Sequence, residues 1–436
     1  MIRPIPTTVA ALWLVSLVLG NTRVEAQAPP QPAPLQAPSL ANPSAQYEQP
    51  PVVNLTALLP PSAASGPGFS VQPQVPTNGA MGQYAVVANS SVFGNDAGTY
   101  YVESLDLLKI RLSEIPAIAQ LDTMSASSIF TNALVSSAER PVAAAANMII
   151  HPEDTITGLP SGIGSFFDRV SMGAGQIASS ATNSFGSGQA AGETGMATAT
   201  ALGYDQLRRD LARRLHVDPY TSNPILTRKL NHAAWIMFSA RITVDAAMMA
   251  VPASIAISGV EFTNDLVYQT PKADLVLLVQ NQLQNMGLSS VEIAGFTTNT
   301  AIPLSLQVSA VKDLQALGDI QGRHSTAVAL GNVMTEYQAR FLASSLRMLV
   351  QWGQQHSSIA RIQVLGVLVG TDQNGTTIVP APIDYLSWTP RIAGFATDPT
   401  LLALPNRTLL MPPLMTPLAS QQLSANGWSV RPGPQP

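Results

Sequence analysis

Along this chain, apolar residues recur mostly at helical rather than strand spacing. The clearest case runs from Gly203 to Trp235. Tyr204, Leu207, Leu211 and Leu215 follow one another at intervals of three and four, which places them on one helical face. Arg208, Arg209, Asp210, Arg213 and Arg214 fall on the other face. Asp205 precedes Arg209 by four residues, as Asp210 does Arg214, in the favourable acid-first order. The run Val217–Pro224, with Pro219 and Pro224, then interrupts the pattern. Asn223 is suited to an N-cap and Pro224 to the first helical position, where its missing N–H costs nothing. A second helix carries Leu226, Leu230, Ala233 and Met237 inward, so the stretch predicts a helix–turn–helix.

The same spacing predicts further helices on either side. Upstream, Gln83–Asn89 alternates like one strand. Leu105, Leu108, Leu112 and Ile115 mark a helix within Tyr100–Leu121, with Ser104 as N-cap and Pro116 ending or kinking it. Ser125–Ala145 is a second helical stretch, rich in small residues. Downstream, Ile236–Val260 reads as a buried helix broken at Pro252, in which Arg241 and Asp245 lie four apart and can satisfy each other. Helices follow from Pro271 to Gly287, over Ser289–Ala294, over Pro303–Leu317 and over Met334–Gln351. The β signal is confined to Arg361–Thr371, a turn at Asp372–Gly375, and a return at Thr376–Ile378. Pro380 and Pro382 limit its pairing, which suggests an edge strand or short hairpin. Tyr385 and Trp388 then cover the end of the helical core.

The expected fold class is therefore mainly α: a helical domain with a small C-terminal β-hairpin, a disordered Pro-rich N-terminal region and a loose C-terminal tail. Residues 1–26 read as a signal peptide, with Arg3 before the apolar run Val9–Leu19 and small residues before Gln27. Residues 27–81 form a Pro-rich disordered spacer and 82–157 an N-terminal helical segment. Residues 158–202 are a Gly/Ala/Ser-rich connector, 203–397 the main helical domain with its hairpin, and 398–436 a Pro-rich tail. Once the signal is removed, no stretch is long and apolar enough for a stable transmembrane span.

Composition narrows the chemistry. The 436 residues contain no Cys, which removes disulfides, thiolate metal sites and Cys nucleophiles. Charged residues make up 11% and the net charge is −4, which gives no basis for nucleic-acid binding. No HExxH, GxSxG or Walker loop is present. Gly173–Ala178 fits GxGxxA but lacks the preceding buried strand that a dinucleotide site needs. His151 stands beside Glu153 and Asp154 with no second histidine near, so it reads as part of a turn before a helix start. His216, Asp218 and His232 flank the central turn and are the candidate catalytic trio, since two imidazoles and a carboxylate suffice for a metal or hydrolytic site. A histidine at a helix C-terminus is equally explained by the macrodipole. No cofactor and no bound metal is expected.

The motifs GYDQLRRDLARRLHVDPYTSNPIL (203–226) and PIDYLSWT (382–389) resemble those of uncharacterised exported proteins of Gram-negative bacteria. The resemblance covers about Tyr100–Thr397 and implies export to the periplasm or beyond; it carries no assigned activity and so no site residue. The expected function is that of a non-catalytic envelope or secreted protein, with a structural or partner-binding role toward an envelope protein or a lipid surface. The alternative is a hydrolase or metal-dependent enzyme built on the trio. Export should remove residues 1–26. Mass spectrometry of the extracytoplasmic protein should therefore find Gln27 at its N-terminus, and an intact start would contradict the signal assignment.

Overall fold

In the computed structural model, the helical pair forms as its sequence dictates. The structure describes residues 47–132, 194–249 and 265–433; the expectations for Ser125–Ala145 beyond residue 132, for His151, for Gly173–Ala178 and for Pro252 lie outside them. The chain from Pro43 onward is one unit. Its first part contains β1 (Val52–Asn54), β2 (Ser65–Gly66), β3 (Phe69–Val71), β4 (Gln74–Pro76), β5 (Gln83–Ala88) and β6 (Gly98–Glu103). β1 and β4 pair by themselves, and β2-β3-β5-β6 form an antiparallel four-stranded sheet. Then come α1 (Leu105–Ala126), α2 (Thr194–Arg214) and α3 (Pro224–Ala240).

One core joins Tyr84 and Val86 of β5 to Leu108 and Ile118 of α1, Leu211 of α2, and Leu226 and Leu230 of α3. Leu226, Leu230, Ala233 and Met237 are all fully buried. Burial of each large one stabilises by about 1.5–3 kcal/mol, and the two amphipathic faces draw it from each other. Asn223 caps α3 as its sequence demands, its Oδ1 accepting from Ile225 N at 3.1 Å and Leu226 N at 3.3 Å.

The middle of the chain is α4 (Val244–Met248), α5 (Asp265–Gln269), α6 (Lys272–Asn285), α7 (Ser290–Thr298), α8 (Leu304–Ala316), α9 (Arg323–Gly331) and α10 (Glu336–Gln355). The last part builds a five-stranded sheet from β7 (Ile359–Val364), β8 (Leu368–Asp372), β9 (Thr377–Pro380), β10 (Arg407–Met411) and β11 (Ser429–Pro432), ordered β11-β10-β9-β8-β7. β7, β8 and β9 pair antiparallel; β9, β10 and β11 are parallel, joined through α11 (Pro390–Ala396) and α12 (Pro417–Ala425). The sheet is covered on both faces. Leu368, Ile378 and Leu410 face the helices of the middle segment, including α10. Val369, Val379 and Leu409 face α11 and α12.

Several expectations are corrected here. Helix occupies 55% and strand 17% of the described residues, in three sheets, so the fold is mixed α/β rather than mainly α with one hairpin. β9 is the middle strand of its sheet, not an edge; Pro380 is tolerated because it ends the strand. Much of the supposedly loose tail supplies α12, β10 and β11, and the described part of the Pro-rich region supplies β1 to β4. Its prolines stand at strand ends and turns, where a missing donor is harmless. α1 continues past Pro116 instead of ending there, because both turns around it bury Leu112, Ile115, Ile118 and Leu121, which offsets the lost hydrogen bond. The buried helix expected across Arg241 and Asp245 is broken: Arg241 adopts φ +56° and ends α3. Among the described residues, no helix is long and apolar enough to cross a membrane.

Gly322 precedes α9 with φ +89°, and a Cβ there would lie 1.7 Å from the Ile362 carbonyl oxygen of β7. Gly318 also has a positive φ, +78°, but open space around it. Gly318→Ala should therefore cost only the left-handed penalty of about 1–2 kcal/mol, whereas Gly322→Ala should cost roughly 3 kcal/mol or more because backbone must move. Comparable losses in chemical denaturation of the two variants would contradict this packing.

Candidate functional site

The turn between α2 and α3 is held by a buried polar cluster. Glu114 of α1 is almost inaccessible to solvent. Its carboxylate accepts from Thr221 Oγ1, from Asn223 Nδ2 at 2.8 Å and from Arg111 Nη1 at 3.2 Å. Arg111 also reaches Glu336 of α10 at 2.7 Å, and Glu336 pairs with Arg340. Burial pushes the Glu114 carboxyl up, against the opposing pull of Arg111 and its two other donors. Burial pushes Glu336 up as well, but Arg111 and Arg340 outweigh it and hold that carboxyl below its usual range. The cluster joins three helices and one turn, and every carboxylate oxygen named in it has a donor.

Asp384, within the 382–389 motif, is a buried and strongly perturbed acid. It accepts from Gly82 N at 2.9 Å, Tyr84 Oη at 3.0 Å and Leu105 N at 3.0 Å. It thus serves the first backbone donor of α1, where an anion also meets the positive end of the helix dipole. Burial raises its pKa to about 6, opposed by those three donors, while the charge of Asp106 adds to the rise. Burial and the neighbouring Asp384 charge keep the Tyr84 phenol protonated. Asp384 is therefore a clasp between β5, α1 and the C-terminal part.

A groove of about 880 Å³ runs along one face of α2. Gly203, Leu207, Asp210 and Arg214 succeed one another on that face, and the residues from Met237 to Asp245 form the facing wall. Gly203 allows the close approach: a Cβ there would sit 3.1 Å from the Phe238 ring. Leu207, Phe238, Ile242 and Val244 make a half-buried apolar floor. Arg213, Arg214, Arg241 and His216 stand exposed at the rim.

Two of these rim residues share an unusual backbone. His216 (φ +54°) and Arg241 (φ +56°) each follow the last turn of a helix in the left-handed conformation usually left to glycine. His216 N donates to Arg213 O and Val217 N to Ala212 O; Arg241 N donates to Phe238 O and Ile242 N to Met237 O. The terminal carbonyls are thus already occupied by backbone. Arg213 pairs with Asp210 at 3.2 Å, but the side chains of Arg214, Arg241 and His216 have no hydrogen bond or ion pair among the described residues.

The sequence-derived trio does not form a joint arrangement. His216 and His232 are both exposed. Asp218 is committed elsewhere, accepting from Tyr220 N at 2.8 Å and from Ser305 Oγ of α8. No hydrogen bond or ion pair links the three, and among the described residues no group of three His, Asp or Glu side chains is placed to hold a metal ion. Arg209, expected on the solvated face, is buried; it pairs with Asp205 at 2.6 Å and donates to Tyr268 O at 3.1 Å. Arg214 takes no partner from Asp210, which pairs with Arg213 instead. Asp384 and the Arg241 rim position were missed. The charge run at 208–214 was the available signal for part of the groove, while nothing in the sequence marks a left-handed arginine.

The fold and groove thus describe a mixed α/β protein with an apolar recess edged by Arg213, Arg214, Arg241 and His216 and also by Asp210 and Asp245. No family model matches the chain, and neither a curated protein nor a solved structure is significantly similar to it.

The clasp sets a pH dependence. A solvated aspartate titrates near 3.8, whereas Asp384 in the fold titrates at about 6. Between those values the native state holds a proton that the unfolded chain has lost, so this group's contribution is present below about pH 4 and is lost as pH rises through 6. Its span is at most about 3 kcal/mol. Glu103, Asp106, Glu114, Asp218 and Asp313 shift in the same direction, each chiefly through burial. The protein should melt higher near pH 5 than near pH 7, and Asp384→Asn should flatten part of that slope. An unchanged slope in the variant would remove Asp384 from the account.

Proposed function

We propose that this chain is an exported, non-catalytic binding protein of the Gram-negative envelope or its exterior, and that its working surface is the α2–α3 groove. The ligand chemistry that fits is an anionic amphiphile: an acyl-like tail against Leu207, Phe238, Ile242 and Val244, and a carboxylate or phosphate head at Arg214 and Arg241. The observation that carries this is the pair of guanidinium groups without partners among the described residues, beside a half-buried apolar floor. A guanidinium gains most from a bidentate carboxylate or phosphate, more so next to an apolar surface. The buried carboxylates support the non-catalytic part, because Glu114, Asp218 and Asp384 are each saturated by internal donors.

Isothermal titration with dodecanoate tests the reading, with dodecanol as the uncharged control. Dodecanoate should bind the full chain, and Arg214→Gln with Arg241→Gln should weaken it by about tenfold or more, the loss of one or two charge-assisted hydrogen bonds. Absence of binding, or equal binding of dodecanol, would refute it.

A further inference from the structure

A different surface, the outer edge of β6, carries an inference independent of the groove. β6 is the terminal strand of the β2-β3-β5-β6 sheet. Its residues Gly98–Tyr101 are all exposed, with Tyr100 39% and Tyr101 58% accessible. Tyr100 and Tyr101 are adjacent and so point to opposite faces of the strand; both faces are open there. Free strand edges are ordinarily blunted by Lys, Pro, a bulge or a covering element. Gly98–Glu103 (GTYYVE) contains neither Lys nor Pro, and its register with β5 is unbroken from Gln83–Glu103 to Ala88–Gly98.

That register fixes which backbone groups are free. Ser104 N donates to Gly82 O, one step along the same ladder, and on β5's other side Gln72 N donates to Ala85 O. Even-numbered β5 residues therefore turn their N–H and C=O toward β6, and their partners Gly98, Tyr100 and Val102 turn inward. Thr99 and Tyr101 turn theirs outward, with no described strand to receive them.

We propose that this edge pairs antiparallel with the same edge of a second copy, about a two-fold axis at Tyr100. A two-fold axis through an inward-turned residue sets Thr99 opposite the partner's Tyr101 and Tyr101 opposite the partner's Thr99. Each of these pairs exchanges both N–H···O bonds, so all the outward groups of the exposed stretch are satisfied. An axis between residues would oppose outward groups with inward ones and make no ladder. An axis at Tyr101 would draw on Glu103, which is already half-buried. At the chosen axis the two Tyr100 rings meet as a close non-hydrogen-bonded pair, on the face shared with Val102. Gly98 faces the partner's Val102 and leaves it room. The two four-stranded sheets become one continuous sheet.

Sedimentation velocity on the full chain at micromolar concentration should show a dimer. Thr99→Pro and Tyr101→Pro each delete only an outward N–H, so the monomer should keep its circular dichroism while dimer affinity falls by more than about tenfold. Thr99→Lys, which adds a charge to the edge and leaves the backbone intact, should do the same. A wild-type monomer, including one that captures an extended peptide instead, overturns the proposal. So does a dimer that survives the two proline variants and Thr99→Lys unchanged.

Discussion

Glu114 is shut off from water, and an ionised carboxylate in that position must find its donors inside the protein. It finds them on Arg111 in its own helix and on Thr221 and Asn223 in the turn between α2 and α3. The same Asn223 caps α3 through its Oδ1. One asparagine thus fixes where a helix begins and also supports a buried charge on another helix. Through Arg111 the demand passes to Glu336, and so to α10, which lies against the five-stranded sheet. The corner is rigid because each polar group in it would be left unsatisfied by a small shift of any other.

This arrangement leaves one side of the helical pair closed and another open. The faces of α2 and α3 that meet each other and α1 are apolar and closed. The carboxylates of the turn are saturated. What remains open is the opposite side of α2, where the helix ends expose basic side chains whose neighbouring carbonyls are already bonded. The recess sets the half-buried apolar side chains of Leu207, Phe238, Ile242 and Val244 beside the guanidinium groups of Arg214 and Arg241 and the His216 imidazole.

How much of this was legible depends on the physical signal each element leaves. α2, α3 and α10 bury one face each, so their apolar spacing and the cap at Asn223 could be read directly, although α2 begins at Thr194, inside the expected connector, and α10 runs on to Gln355. α6 to α8 were legible for the same reason. β7, β8 and β9 were legible as a β-rich run and its return, whereas β10 was read as tail: RTLLM is buried from Thr408 to Met411, so it shows no alternation, and it lies among prolines that argue for loops. The parallel pairing of β9, β10 and β11 is wholly non-local and leaves no local trace. Arg209 looked solvated because its partners, Asp205 and the Tyr268 carbonyl, include one that lies far along the chain. The groove depends on left-handed backbone at His216 and Arg241, where the usual glycine is absent.

The clasp at Asp384 has a consequence for how the protein is made. The N-terminal sheet and the start of α1 take their shared acceptor from a residue 302 positions beyond Gly82. Glu48, near the first described residue, likewise takes a hydrogen bond from Trp388 N, 340 positions on. A ribosome delivers the chain from its N-terminus, so these strands emerge long before the acid that completes them. The N-terminal sheet must wait in an unfinished state, its edges open, until nearly the whole polypeptide has appeared. Such topology favours late, slow closure of the N-terminal part.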